Sequence, residues 1–201
     1  MSNLLERVVF WAKKCMESNH GTEQLMWSFH GIIPGKPEVV LFCPWNSNED
    51  KRRIFNYLRM YSVLEGVTEY VVCSEAWMRE AASKDDLAGD ISKHPNRREA
   101  LIFAHVKRVG AELVKEFQTY AIYRKGDGKL DRLEHVEQPY KELGGDLFNF
   151  IPPSAPSEVL QDQTRFLFEL GKSNGYLPEF HAIKDTTTEA VTPGKVSHML
   201  H

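Results

Sequence analysis

Apolar residues recur at intervals of three and four near the start of the chain: Leu5, Val8, Val9, Ala12, Cys15 and Met16. That is the spacing of one face of a helix. Asn3 with Glu6 three residues on predicts a capping box, and Gly21 is placed to close the helix. Residues 24–30, Gln-Leu-Met-Trp-Ser-Phe-His, lose that period and read as a strand. Pro34, Gly35 and Pro37 then predict a turn before the apolar run Val39-Val40-Leu41-Phe42, which suits a central strand. Ser47 and Asp50 carry the next cap signature. Ile54, Tyr57, Leu58, Tyr61 and Leu64 line one face of a second helix and Gly66 stops it, with Lys51, Arg52 and Arg59 on the other face.

A buried strand follows at 69–74, with Tyr70-Val71-Val72-Cys73 at its centre, and a polar loop is expected over 79–96. Residues 99–108 and 112–125 show partial alternation and read as two long strands joined at Gly110. Gly126-Asp127-Gly128 turns the chain into a further strand at 129–136. The pattern changes after about Tyr140. Pro152, Pro153 and Pro156 predict an extended linker, and 157–170 a helix with Val159, Leu160, Phe166, Leu167 and Leu170 available for packing. The expected layout is an α+β domain over 1–140, a Pro-rich linker over 141–156 and a helical appendage over 157–181. A tail over 182–201, poor in large apolar residues, is expected to be disordered. The order αββαββββ with a trailing helix predicts a mostly antiparallel sheet covered on one side by helices.

Length and charge narrow the partners. The 201 residues suit one domain with an appendage. Twenty-five Lys and Arg against 28 Asp and Glu leave a formal charge of −3, without the basic field of a dedicated nucleic-acid binder. No run approaches the ~18 apolar residues of a membrane span, so a membrane is not an expected partner either. The first residues lack a secretory core, and Cys15, Cys43 and Cys73 stand in apolar context with no Cys-x-x-Cys spacing. Reduced thiols in the cytoplasm are the expectation. Four Trp, eleven Phe and seven Tyr are a generous supply, which either fills one core or extends to a contact between identical subunits.

Most familiar chemical signatures are absent. The chain has no Gly-x-x-x-x-Gly-Lys loop, no Gly-x-Gly-x-x-Gly, no His-Glu-x-x-His, no Gly-x-Ser-x-Gly and no His-x-His. One polar constellation remains. Ser74-Glu75-Ala76-Trp77 stands at the predicted end of a buried strand, a usual place for ligand contacts. His94-Pro95-Asn96-Arg97-Arg98-Glu99 leads into the next strand. If those strands are neighbours, Glu75, His94, Arg97 and Glu99 converge on one sheet edge. Glu75, His94 and Glu99 are then candidate ligands of a divalent ion, or Arg97 binds an anion while His94 carries a proton. The plainer alternative pairs Glu75 with Arg97 or Arg98, and leaves His94-Pro95 as a turn.

The stretch 41–106, about a third of the chain, resembles uncharacterised proteins of bacteria and their phages. They share a Ser-Glu-Ala-Trp block followed by His-Pro-x-Arg-x-Glu, here Ser74 to Trp77 and His94, Pro95, Arg97 and Glu99. The resemblance implies that the two blocks belong together, and implies no activity. Lys51, Arg52, Arg53 and Arg59 near Tyr57 and Tyr61 form a mixture able to follow a nucleic-acid backbone, against which stand the net negative charge and a solvated helix face. The expected function is therefore a binding or assembly module acting as a homo-oligomer. A small hydrolase using Glu75, His94, Arg97 and Glu99 is the competing reading, and a nucleic-acid accessory factor a weaker third. No particular cofactor or small-molecule ligand is indicated.

Overall fold

The first helix begins as its spacing requires. The Glu6 amide donates to Asn3 Oδ1 at 2.8 Å, and the Asn3 amide donates to Glu6 Oε2 at 3.1 Å. In the computed structural model, which describes residues 3–18, 25–78, 95–137 and 146–174, this helix is α1, Leu4–Ser18. Gly21 lies outside the described residues. Strands β1 (Ser28–Ile32) and β2 (Val39–Phe42) form a hairpin. Helix α2 (Asn48–Glu65) follows, capped by Ser47 Oγ, which accepts from the Asp50 amide at 3.0 Å. Gly66 ends it at φ 69°, a left-handed conformation that a side chain would strain.

Strands β3 (Glu69–Met78), β4 (Arg98–Val109), β5 (Glu112–Arg124) and β6 (Leu130–Val136) complete the sheet. The six strands lie in the order β2-β1-β3-β4-β5-β6, every neighbouring pair antiparallel. This is the α+β fold that the element order predicts. The helices, however, do not keep to one side. Val71 and Cys73 of β3, with Leu101 and Phe103 of β4, point to one face and are covered by Leu4, Leu5, Val8, Val9, Ala12 and Met16 of α1. Tyr70, Val72, Ala104 and Val106 point to the opposite face, where Ile54, Phe55 and Leu58 of α2 cover them. Successive side chains alternate across a strand. Central strands apolar at both parities therefore need cover on both sides, which a one-sided arrangement cannot supply.

Several segments differ from expectation: the strand expected over 24–30 is β1, Ser28–Ile32, and Val39–Phe42, expected as a central strand, is the edge strand β2. Strand β3 runs on to Met78 because β4 pairs with it along its whole length, Trp77 opposite Glu99 and Met78 opposite Arg98. Ser74 to Trp77 thus lie within the strand, not beyond its end. Residues 146–156, expected in the Pro-rich linker, are instead strapped to the α2 face of the sheet. Phe148, in the 3-10 turn Asp146–Phe148, joins Phe150 and Ile151 in that core. Tyr70 Oη donates to the Leu147 carbonyl at 2.8 Å and accepts from the Phe150 amide at 3.4 Å. The Arg108 guanidinium donates to the carbonyls of Pro152 and Pro153.

Helix α3 (Glu158–Ser173) then lies on α2. Its inner row is Gln161, Thr164, Phe168 and Gly171, with Thr164 buried and Phe168 on the Tyr57 ring at 5.4 Å between centroids. The five residues expected to pack, Val159, Leu160, Phe166, Leu167 and Leu170, are all exposed. The expected tail, 182–201, lies outside the described residues. Among the described residues no helix is long and apolar enough to cross a membrane.

Candidate functional site

The pairing of β3 with β4 brings the two polar blocks together. Cys73 is the last β3 residue in the core under α1, and alternation puts Glu75 and Trp77 next on that same face. Glu99 follows on β4 from Leu101 and Phe103 by the same rule, directly across from Trp77. The Arg97 guanidinium lies 4.6 Å from the centroid of the Trp77 ring, which is half exposed. That distance is favourable for a cation over an indole face. Glu75, Arg97 and Glu99 therefore share one end of the sheet. His94 lies outside the described residues.

The partners are not those anticipated for a simple ion pair between the blocks. Glu75 Oε1 accepts from the Leu25 amide at 2.6 Å, tying the segment before β1 to the sheet. Glu99 Oε2 accepts from Arg124 Nε at 2.5 Å. Burial pushes the Glu75 carboxyl above the ordinary carboxylate range. The Leu25 amide and the Arg124 charge oppose the rise, and the Glu99 charge adds to it. Burial thus biases the Glu75 carboxyl toward keeping its proton, while the Glu99 carboxylate is ion-paired with Arg124. Arg124 is absent from the sequence-derived set. The only signal for it is parity: it closes β5 on the face that also carries Tyr120 and Ile122.

Two further polar groups stand on the α1 face. Ser28 Oγ lies 3.1 Å from His30 Nε2, His30 Nδ1 lies 3.4 Å from Glu38 Oε1, and Arg7 donates to Glu38 Oε2 at 2.7 Å. Hydroxyl, imidazole and carboxylate come in the order used for nucleophilic catalysis. Yet Ser28 has no exposed surface, His30 is 4% exposed, and Trp11 of α1 packs edge-on over the imidazole. No substrate reaches that hydroxyl, so the chain of contacts fastens α1 and β2 to β1. Burial would raise the Glu38 carboxyl, but hydrogen bonds and charge from His30 and Arg7 outweigh it and lower it. At the other end of β3, Glu69 binds His105 Nε2 at 3.0 Å and Lys107 Nζ at 3.2 Å. Among the described residues no group of three His, Cys, Asp or Glu is arranged to hold a metal ion.

No protein-family model, curated protein or solved structure matches the chain.

Proposed function

We propose that the protein is a binding and assembly module that associates with a second copy of itself through α3. The observation that supports this is the inversion of α3. Its inner row is thin and largely polar, while Phe166 is 69% exposed, Val159 65%, Leu167 55%, Leu170 46% and Leu160 41%. Those side chains together expose on the order of 500 Å² of largely apolar surface, a patch of the size that marks interaction sites. Two such faces joined across a two-fold axis cover about 1,000 Å², near the lower bound for a stable interface. An antiparallel pairing sets Val159 of one copy against Leu170 of the other, with Phe166 near the axis. The helix carries Glu158, Asp162 and Glu169 against Arg165 and Lys172. That balance does not favour an anionic membrane or a nucleic acid as occupant.

Sedimentation of the full chain tests the reading. The expected result is a dimer at micromolar concentration that becomes a monomer in the double variant Phe166→Glu, Leu170→Glu. A wild-type chain that stays monomeric at high concentration overturns it.

The second reading is acid–base hydrolysis at the β3–β4 end, with Glu75 as the proton-holding acid, Glu99 as second carboxylate and Arg97 orienting an anionic group. It is supported by the raised Glu75 carboxyl beside Glu99. The proposal of a reducing, cytoplasmic setting rests on Cys15, Cys43 and Cys73. All three are free, and burial pushes each thiol up, away from the reactive thiolate.

A further inference from the structure

The basic residues of α2 do not act as one face. Arg53 pairs with Glu49 at 2.6 Å, and Tyr57 and Tyr61 stack on each other at 5.8 Å between centroids, Tyr57 beneath α3. Asn48, Lys51, Arg52, Phe55, Asn56 and Arg59 separate from them and, with Asp146 at the start of the strap, line a cleft of about 420 Å³. They fall at i, i+3, i+4, i+7, i+8 and i+11, one stripe of the helix about 16 Å long at 1.5 Å per residue.

Three cations meet a single carboxylate there, in a chain whose formal charge is −3. Lys51 Nζ sits 5.6 Å from the Trp45 ring centroid and 5.4 Å from that of Phe55. The rings orient the ammonium but accept none of its protons in the ordinary sense. Neither Lys51 nor Arg52 meets a carboxylate among the described residues. Arg59 is held in place by Asn56 Oδ1 at 3.1 Å and Asp146 Oδ1 at 2.8 Å. Lysine and arginine have donors and no acceptors, and a guanidinium presents five N–H groups in a planar fork that fits an oxyanion. The Asp146 carboxylate, 71% exposed, occupies the position an incoming anion would take on Arg59.

We propose that this cleft binds a phosphate-bearing small molecule. Arg52 and Lys51 supply free charge, and Arg59 exchanges Asp146 for a phosphate oxygen. The stripe spans only three helical turns, which favours a compact phosphate ester over a long polyanion.

Titration calorimetry of the full chain with inorganic pyrophosphate tests this. Saturable binding is expected, one per chain. Arg52→Glu weakens it by about tenfold or more, as loss of a charge-assisted contact and its reversal require. Arg52→Gln weakens it less, in the same direction. Asp146→Asn tightens it several-fold, because Arg59 is released, whereas a merely electrostatic surface also responds to Arg132→Glu on the distant strand β6. The proposal falls if no saturable heat appears at millimolar pyrophosphate, or if Arg132→Glu weakens binding as much as Arg52→Glu. It also falls if a single-stranded oligonucleotide binds far tighter with an affinity that drops steeply with salt, which makes the stripe a nucleic-acid surface.

Discussion

Helices α1 and α3 carry the same kind of apolar stripe and meet opposite fates. In α1 the stripe is buried: Leu5, Val8 and Met16 are each 1% exposed and Ala12 is fully covered. In α3 the corresponding residues face outward, and only Thr164 of the whole helix is buried. The period of a pattern defines which side of a helix avoids water. It does not define what that side will meet. For α1 the answer is the odd-numbered face of β3 and β4; for α3 no described residue covers the stripe.

The largest effect that separates the two helices is expected from Leu5→Ala. Removing a side chain with 1% exposure from the core under α1 costs about 2–4 kcal/mol of unfolding free energy. Urea denaturation measures it. A loss below about 0.5 kcal/mol, the ordinary range for a surface change, would mean that α1 is no better seated than α3.

The hydrogen-bonded chain beneath α1 supplies the next effect. Glu38→Ala strips Arg7 and the buried His30 of their shared carboxylate, for an expected loss of about 1 kcal/mol, since Arg7 is half exposed and can turn to water. The sign with pH follows from the lowered carboxyl. The unfolded chain binds this proton more readily than the folded one. The contribution is therefore present at neutral pH and is lost as pH falls through the folded value, below the ordinary carboxylate range. Wild type and Glu38→Ala should converge in melting temperature on acidification and diverge above it. Parallel curves would show that Glu38 does not fasten α1.

How much of this was legible depended on distance along the chain. Asn3 with Glu6, and Ser47 with Asp50, are contacts three residues apart, and both caps form as read. Gly66 and Gly110 mark their turns because φ is positive at both. Contacts that cross the sheet left no such mark. Arg124 reaches Glu99 from 25 residues away, and Tyr70 holds the strap from 77 and 80 residues away. The same gap explains the strand end: Glu75 and Trp77 are too polar and too large to announce a buried strand, and it is pairing with β4 that carries β3 through them. The convergence of Glu75, Arg97 and Glu99 could be anticipated only as a condition on strand neighbours. Their partners could not, because Leu25 offers a backbone amide, which any residue has.

Glu75 gives an effect of similar size with the opposite sign in pH. Its raised carboxyl means the folded chain favours the protonated form. Whatever Glu75 contributes is therefore fully present below the ordinary range and declines as pH rises through the folded value. Glu75→Gln keeps an acceptor for the Leu25 amide and removes the buried charge, so stability at neutral pH should hold or rise slightly. Glu75→Ala loses the acceptor and should cost about 1 kcal/mol. If Gln and Ala cost the same in thermal melts, the ionised carboxylate is itself the stabilising species and the burial argument fails. An activity that vanishes in Glu75→Gln with the melt unchanged would instead strengthen the hydrolase reading.

The smallest effect on folding is expected where the apolar exposure is greatest. Phe166→Glu with Leu170→Glu removes no buried contact within one chain, because these side chains are 69% and 46% exposed. In dilute solution the double variant should unfold within about 0.5 kcal/mol of wild type. At higher concentration the two should part. If the proposed self-association through α3 holds, wild type gains stability from it and its melting temperature climbs with protein concentration, while that of the variant stays flat. Had α3 been seated like α1, two buried glutamates would unfold the helix and the difference would appear at every concentration. A gap that is already large in the most dilute sample would therefore assign the stripe to an intramolecular partner. A gap that opens only on concentrating the sample assigns it to a second copy.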